Sequence, residues 1–271
     1  MIQVITKSQG AMDRSSLLSV NKVTGDVVQA QTIHSLNTRK KSHDGQSMPS
    51  QQVSSQPSGA RPLPVQPLST GEDRSPWTKK SIPPLRHMVQ KGQKAVIDKN
   101  AHLNTIQACL GWNTTNPSCD VDVSAFLLNA TGKVPGDDWF VFYGQKESPD
   151  GSTIFSAEAL ADRETITIHL DKLKPDIDKI VFVLTIHEAL ERKLHFGMVQ
   201  DAYIRLMDMG SQDELVSFKM DEYYTNVISM MIGEVYRHNG AWKFNAVGNG
   251  VAKDLSGLCA LYGVQVSNET Q

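Results

Sequence analysis

Two aspartates set one residue apart, Asp120 and Asp122, are the strongest candidates for chemistry in this chain. They lie in the run Asp-Val-Asp-Val-Ser-Ala, where polar and apolar residues alternate. Successive side chains of a β-strand point to opposite faces, so Asp120, Asp122 and Ser124 would present oxygen atoms on one side. A hard cation such as calcium takes several ligands of this kind. The same spacing also fits an ordinary surface strand with a solvated acidic face.

A second stretch places His187 and Glu188 together, with His195 further along the chain. It resembles the helix of a zinc protease at first sight, but the His-Glu-x-x-His motif needs a second histidine where Glu191 stands. The sequence also lacks the Gly-x-Ser-x-Gly turn that presents a nucleophilic serine in many hydrolases. We therefore expect no catalytic activity, and a hydrolase or metal enzyme is the minor alternative.

The elements that must position these residues are short strands. From Gln90 onward, apolar runs are separated by clusters of Gly, Pro, Asn and Asp, which is typical of an all-β sandwich. The run Ile180–Leu184 is continuously apolar and predicts a central strand covered on both faces. The predicted strands are Lys94–Asp98, Thr105–Trp112, Asp120–Leu128, Trp139–Tyr143, Glu164–Leu170, Lys179–Ile186, Ala202–Met207, Glu214–Lys219, Ile228–Arg237 and Trp242–Val247.

Two short sequence patterns predict the structure of the C-terminal part of the chain. Asn239-Gly240 between two apolar runs predicts a hairpin with a type I′ turn, because both positions of that turn need a positive φ. Residues 252–262 predict a short terminal helix ended by Gly263.

The region before the strands has a different composition. Eight of the 12 prolines lie before residue 87, in a stretch rich in Ser, Gln and Thr. Such a composition cannot bury enough apolar surface to offset chain entropy, so we predict a disordered extension over residues 1–86 and a folded domain over residues 87–268. The extension has 11 basic and 5 acidic residues, whereas the remainder has 16 and 24. A basic tail of this kind suits a solvated linker or a contact with an anionic partner.

Composition also bears on the compartment. The sequence has no uninterrupted apolar run of membrane-spanning length and no apolar signal-peptide core near its start, so we expect a soluble protein without a transmembrane segment. The three cysteines, Cys109, Cys119 and Cys259, are odd in number and show no Cys-x-x-Cys spacing. They are expected to be free thiols, which favours the cytoplasm.

Several segments, taken in order, resemble the TerD family of bacterial tellurium-resistance and stress-response proteins. They span about residues 88–266, nearly the whole folded part. The segments are Lys91-Gly92-Gln93, Leu110-Gly111-Trp112, Asp120-Val121-Asp122-Val123-Ser124-Ala125, Ser148-Pro149-Asp150-Gly151-Ser152, Phe196-Gly197-Met198-Val199, Ala202-Tyr203-Ile204-Arg205, Gly233-Glu234-Val235-Tyr236-Arg237-His238-Asn239-Gly240, Trp242-Lys243-Phe244 and Ala246-Val247-Gly248.

The resemblance implies a TerD-like β-sandwich that binds Ca²⁺ through acidic loops and has no accepted catalytic activity. It also implies assemblies with other Ter-type proteins and membrane-associated complexes. Asp120 and Asp122 match the family segment Asp-Leu-Asp-Ala-Ser. Asp162 and Glu164 align with the family run Gly-Asp-Asp-Glu, and Glu158 with the acid of Gly-Asp-Asn. The predicted metal ligands are therefore Asp120, Asp122, Asp162, Glu164 and Glu158.

The second acidic segment departs from the family pattern. Its glycine-rich middle is shortened, and Arg163 stands where an acid is expected. Glycines let a loop fold its carbonyls around an ion, and a nearby cation repels a divalent metal, so weaker calcium binding is expected. The sequence thus predicts a non-enzymatic adaptor in tellurite and general stress resistance that is either calcium-binding or calcium-degenerate. The alternative is an interaction scaffold whose basic extension binds nucleic acid or membrane-associated partners, nucleic acid being the less expected.

Overall fold

The computed structural model describes residues 79–98, 103–157 and 161–266. This part of the chain contains eleven strands and one α-helix. They are β1 Lys94–Val96, β2 Thr105–Thr114, β3 Val121–Leu128, β4 Phe140–Phe142, β5 Thr153–Ser156, β6 Glu164–His169, β7 Lys179–Ile186, β8 Val199–Asp208, β9 Glu214–Lys219, β10 Ser229–His238, β11 Ala241–Val251 and α1 Leu255–Tyr262.

The strands form two antiparallel sheets. One has six strands in the order β1-β11-β10-β7-β3-β4, and the other has five in the order β5-β6-β2-β8-β9. The inner faces of both sheets contribute to one continuous apolar core, so the architecture is the predicted all-β sandwich. Strand β7 lies inside the larger sheet and all but its first residue are buried, which confirms the central strand predicted from its apolar run.

Helix α1 covers the outer face of the six-stranded sheet. The ring of Tyr262 lies 4.6 Å from that of Phe126 in β3, and Phe126 stacks on Phe140 at 4.4 Å. All eight residues of β3 are buried, including Asp122 and Ser124. The alternative of an ordinary strand with a solvated acidic face is therefore wrong, because Asp122 is only 7% exposed.

The two local signals at the end of the chain are confirmed. Asn239 and Gly240 have φ values of 54° and 76°, as a type I′ turn requires, and His238 pairs with Ala241 across it. Helix α1 ends at Gly263, whose φ is 86°. It begins later than predicted because the Asp254 side chain caps it by accepting a hydrogen bond of 2.9 Å from the Gly257 N–H.

Strand β5 was not predicted. It has four residues and follows a turn in which the Asp150 carboxylate accepts hydrogen bonds from the Ser152 N–H (3.0 Å) and the Ser148 hydroxyl (2.7 Å). So short a strand has little pattern of its own. Pairing with β6, for example Phe155 opposite Ile166, defines it.

Residues 79–89 form an N-terminal strap that lies against the five-stranded sheet. Met88 makes a parallel bridge to Ser217 on β9, and the Val89 N–H donates to the Ser217 carbonyl at 2.8 Å. The chain then turns at Gly92, whose φ is 78°, and crosses to β11 of the other sheet. The rest of the predicted extension lies outside the described residues.

The three cysteines are unbridged, as predicted, and all three are buried.

Within the part of the chain that the structure describes, no helix has the length and apolarity that crossing a membrane requires.

Candidate acidic site

Glu164 and the start of β3 join the two sheets at one end of the sandwich. Glu164 opens β6 in the five-stranded sheet, and its Oε2 accepts a hydrogen bond of 2.8 Å from the backbone N–H of Val123 in the other sheet. Strand β4 pairs with β3 only over residues 124–126, so it does not reach Val123. The glutamate supplies the acceptor that a longer β4 would have provided.

The charges of three predicted ligands act on Tyr143. Burial raises the pKa of the Tyr143 phenol, and the negative charges of Asp122, Asp120 and Glu164 raise it further, in that order. The side chains of Asp122 and Glu164 are almost fully buried, whereas Asp120 is half-buried. The Ser124 hydroxyl, on the same face as Asp122, is buried without a hydrogen-bond partner among the described residues. The structure therefore gathers these acids at one end of β3.

Asp162 lies elsewhere, on the outer face of the five-stranded sheet. Its Oδ2 is 2.7 Å from Nη2 of Arg205, and its Oδ1 accepts hydrogen bonds from Arg205 Nε at 3.1 Å and from the Tyr203 hydroxyl at 2.8 Å. The Asp162 side chain is 6% exposed and that of Arg205 16%. Both carboxylate oxygens are thus occupied by protein donors, and a neighbouring guanidinium balances the charge.

The close approach of Tyr203 to Asp162 depends on a glycine in the adjacent strand. Gly111 stands opposite Tyr203 in the β2–β8 pairing, and a Cβ at that position would collide with the Tyr203 ring. Because Gly111 has no side chain, the ring lies flat on β2 and its hydroxyl reaches Asp162. The Leu-Gly-Trp segment of the sequence therefore has a packing role beside the acid.

Arg163, predicted to oppose a metal, is directed to β2. Its Nε donates to the carbonyl of Trp112 at 2.6 Å, and its guanidinium lies 5.9 Å from the centre of the Trp112 ring. Burial lowers its pKa, while Tyr203 and Glu164 act in the opposite direction. Arg163 thus fixes the bend that separates Asp162 from Glu164, and its charge remains close to Glu164.

The described acids do not complete a calcium site. Calcium takes six to eight oxygen ligands, and within residues 79–98, 103–157 and 161–266 no three His, Cys, Asp or Glu side chains are grouped so that they could hold a metal. Asp162 is bound to Arg205, and Glu158 lies outside the described residues.

The ion pair between Asp162 and Arg205 could not be predicted from the sequence. Its only signal was an arginine inside an apolar strand.

The zinc-protease resemblance has no structural counterpart. Residues 187–193 form turns, and Glu188 itself has a φ of 51°, so His187 and Glu191 do not share a helix face. The Nε2 atom of His187 lies 3.2 Å from the carboxylate of Glu188. The stretch therefore connects β7 to the segment before β8 and does not form the His-Glu-x-x-His geometry.

The two-sheet architecture, closed by Glu164 and covered by α1, defines a β-sandwich domain. A family model described as the TerD domain matches residues 85–262, and the chain belongs to that family. It is 42% identical over 188 residues to the tellurium resistance protein TerD of Alcaligenes sp., covering 66% of this chain and 98% of that protein. Identity to the TerD protein of Serratia marcescens is 40% with the same coverage.

Another relative is general stress protein 16U of Bacillus subtilis (strain 168), which is 37% identical over 186 residues, covering 65% of this chain and 96% of that protein. Tellurium resistance and the stress response are therefore the general role of this family. Other Ter proteins, named TerA in Alcaligenes sp. and TerX in Serratia marcescens, are also related to the chain.

Proposed function

We propose that this chain is a non-enzymatic adaptor in tellurite and general stress resistance, and that its acidic site is calcium-degenerate. The observation that carries the proposal is the occupation of both Asp162 oxygens by Arg205 and Tyr203. An acid that the family resemblance assigns to calcium instead stabilises the sheet. We further propose that it acts beside other Ter-type proteins and membrane-associated complexes, in the cytoplasm of a bacterium. Its similarity to TerA and TerX supports the link to other Ter-type proteins.

The state of the nucleophilic groups supports a non-catalytic role. Burial raises the pKa of the Cys109, Cys119 and Cys259 thiols to about 12, so each is protonated at neutral pH. A thiol reacts as its thiolate, so these cysteines are poor nucleophiles. The turn that contains His187 and Glu188 has no counterpart of the helix on which the zinc-protease chemistry depends.

Electrostatics favours weak calcium binding. To use Asp162, a calcium ion would have to displace Arg205 and leave a largely buried guanidinium without its partner, which costs about 3–5 kcal/mol. The acids that remain near Tyr143 are Asp120, Asp122 and Glu164, and one oxygen of Glu164 already accepts the Val123 N–H. We expect binding no tighter than that of weak extracellular calcium modules, roughly 10⁻⁴–10⁻³ M.

Calorimetric titration of the full chain with calcium, with thermal melts in calcium and in chelator, tests this proposal. We expect a rise in melting temperature only at millimolar calcium, since stabilisation by a ligand follows its concentration relative to Kd. The variant Asp122→Asn should lose that rise, whereas Asp171→Asn, in an exposed turn, is the matched control and should keep it. Binding of two equivalents in the submicromolar range would contradict the calcium-degenerate site.

A further inference from the structure

The outer face of the five-stranded sheet, against which the N-terminal strap lies, buries polar side chains. Cys109, Arg205 and Ser217 stand opposite one another on β2, β8 and β9, so their side chains share this face. Cys109 is 3% exposed and Ser217 is fully buried, although neither points into the core between the sheets. The strap crosses this face from Asn113 on β2 to Glu214 on β9.

The first anchor of the strap is Asn113 at the end of β2. Its Oδ1 accepts the N–H of Lys80 at 2.9 Å, and its Nδ2 donates to the Lys80 carbonyl at 3.0 Å. The asparagine side chain thus binds the strap backbone as a neighbouring strand would, and Asn113 itself is 4% exposed. This recognition is independent of the side chain at position 80.

The lysines of the strap add a contact that depends on their side chains. Nζ of Lys80 donates to the carbonyl of Asp162 at 2.7 Å. The pKa of Asp201 is lowered mainly by hydrogen bonds from Lys219 and Asn113, and Lys79 contributes a further favourable charge. The strap therefore places two adjacent lysines over an acidic part of the face.

The second anchor is Glu214 at the start of β9. Its Oε1 accepts the backbone N–H groups of both Arg86 and His87, at 2.8 and 2.7 Å. Its other oxygen is buried without a hydrogen-bond partner among the described residues, and the side chain is directed at the strap. A carboxylate that receives two consecutive N–H groups is a charge-assisted clamp for an extended backbone.

Between the anchors the strap adds little to the core. Residues 81–85 have no regular structure and include Pro83-Pro84, which need no hydrogen-bond partner for their nitrogens and favour an extended chain. Ile82 lines a shallow crevice with Trp112 and Tyr203. No residue from 79 to 90 is buried, so the strap is held by hydrogen bonds and charge.

We propose that the outer face of the five-stranded sheet is a binding site for an extended peptide with adjacent lysines and a proline pair, and that residues 79–86 are its ligand in cis. Because the strap contributes no buried side chain, it detaches while the sandwich stays folded, a local opening that requires less free energy than global unfolding. Detachment exposes Asn113 and Glu214, the two side chains that hold the strap backbone.

Hydrogen exchange of the full chain tests this inference, because the backbone N–H groups of Lys80, Arg86 and His87 that Asn113 and Glu214 hold report the opening. Exchange is followed by mass spectrometry of peptides from the strap and from the central strand β7. In the variant Lys79→Glu/Lys80→Glu we expect the strap to exchange about tenfold faster or more, with β7 unchanged. The matched control Lys172→Glu/Lys253→Glu reverses two exposed lysines outside the strap and should exchange like the unaltered chain.

A synthetic peptide of residues 77–89 supplies the second arm. With a fluorescent label, it should bind the lysine-reversed variant more tightly than the unaltered chain, whereas the same peptide with glutamate at both lysine positions should bind neither. Equal acceleration of exchange in the strap and in β7 would indicate global destabilisation and overturn the inference. So would an unchanged exchange rate of the strap in the lysine-reversed variant, or equal binding of the labelled peptide to both proteins.

Discussion

Asp162 and Glu164 are two residues apart, yet they serve different faces of the same sheet. The resemblance to the TerD family implied one shared site for both acids, and in a regular strand their side chains would point the same way. Residues 161–163 form a bend, however, and β6 begins only at Glu164. The alternation rule fails at this bend. Asp162 turns outward to Arg205, while Glu164 reaches across to Val123.

A double-mutant cycle measures how much the Asp162–Arg205 pair stabilises the fold. Asp162→Asn leaves a largely buried guanidinium without its carboxylate and should lower the free energy of unfolding by about 3–5 kcal/mol. Arg205→Met should be destabilising as well, but the double variant should be more stable than the sum of the two losses predicts. Urea denaturation of the four proteins gives the coupling energy.

The comparison pair is Lys219–Asp201, whose nitrogen and oxygen are 3.0 Å apart but whose side chains are 37% and 25% exposed. Asp201→Asn should cost about 1 kcal/mol or less, since water screens an exposed ion pair. If Asp162→Asn cost no more than Asp201→Asn, the structural role assigned to Asp162 would be incorrect.

At the scale of elements, the sequence predicts best where the chain determines its own local structure. The ten predicted strands correspond to strands of the structure, and the Asn239-Gly240 turn fixes the register of β10 and β11. Strand β5 escaped prediction because its partner β6, and not its four residues, defines it. The acidic site was only partly predictable, since β3 carries Asp122 by alternation while contacts between sheets decide where Asp162 and Glu164 point.

The β10–β11 turn gives a test of this local control. Gly240 has a φ of 76°, and a Cβ built there would meet no atom within 4 Å. Gly240→Ala should therefore lower the free energy of unfolding by about 1 kcal/mol through backbone conformation alone. Asn239→Gly, at the neighbouring position, is the control and should have a smaller effect. Chemical denaturation checks both, and an unchanged stability in Gly240→Ala would contradict the type I′ assignment.

At the scale of the whole molecule, the buried thiols make stability fall in alkali. Burial, followed by nearby Asp162, Asp120 and Asp137 respectively, raises the pKa of Cys109, Cys119 and Cys259 from 9.0 to about 12. Above pH 9 the unfolded chain loses these protons while the folded chain keeps them. The unfolded state then binds fewer protons, so the free energy of unfolding decreases as pH rises, by up to about 1.4 kcal/mol per pH unit for each thiol.

Urea denaturation at several pH values between 8 and 9.5 checks this dependence, in a range where a tyrosine of ordinary pKa, about 10, is still mostly protonated. The variant Cys109→Ala/Cys119→Ala/Cys259→Ala should have lower stability at pH 8 but a much flatter slope above pH 9. If the free energy of unfolding fell equally steeply with pH in both proteins, groups other than the thiols would be responsible for the loss of stability at alkaline pH.

The edges of the two sheets bear on how the molecule behaves at high concentration. Strands β1 and β4 have three residues each and β5 has four, so these edges present few unpaired backbone groups. The six-residue edge strand β9 is longer, and the strap lies beside it at Met88 and Val89. Exposed edges are templates for aggregation between copies. The segment that covers the polar face thus also shields the longest strand edge from other molecules, so that loss of the strap would leave a sandwich prone to edge-to-edge association.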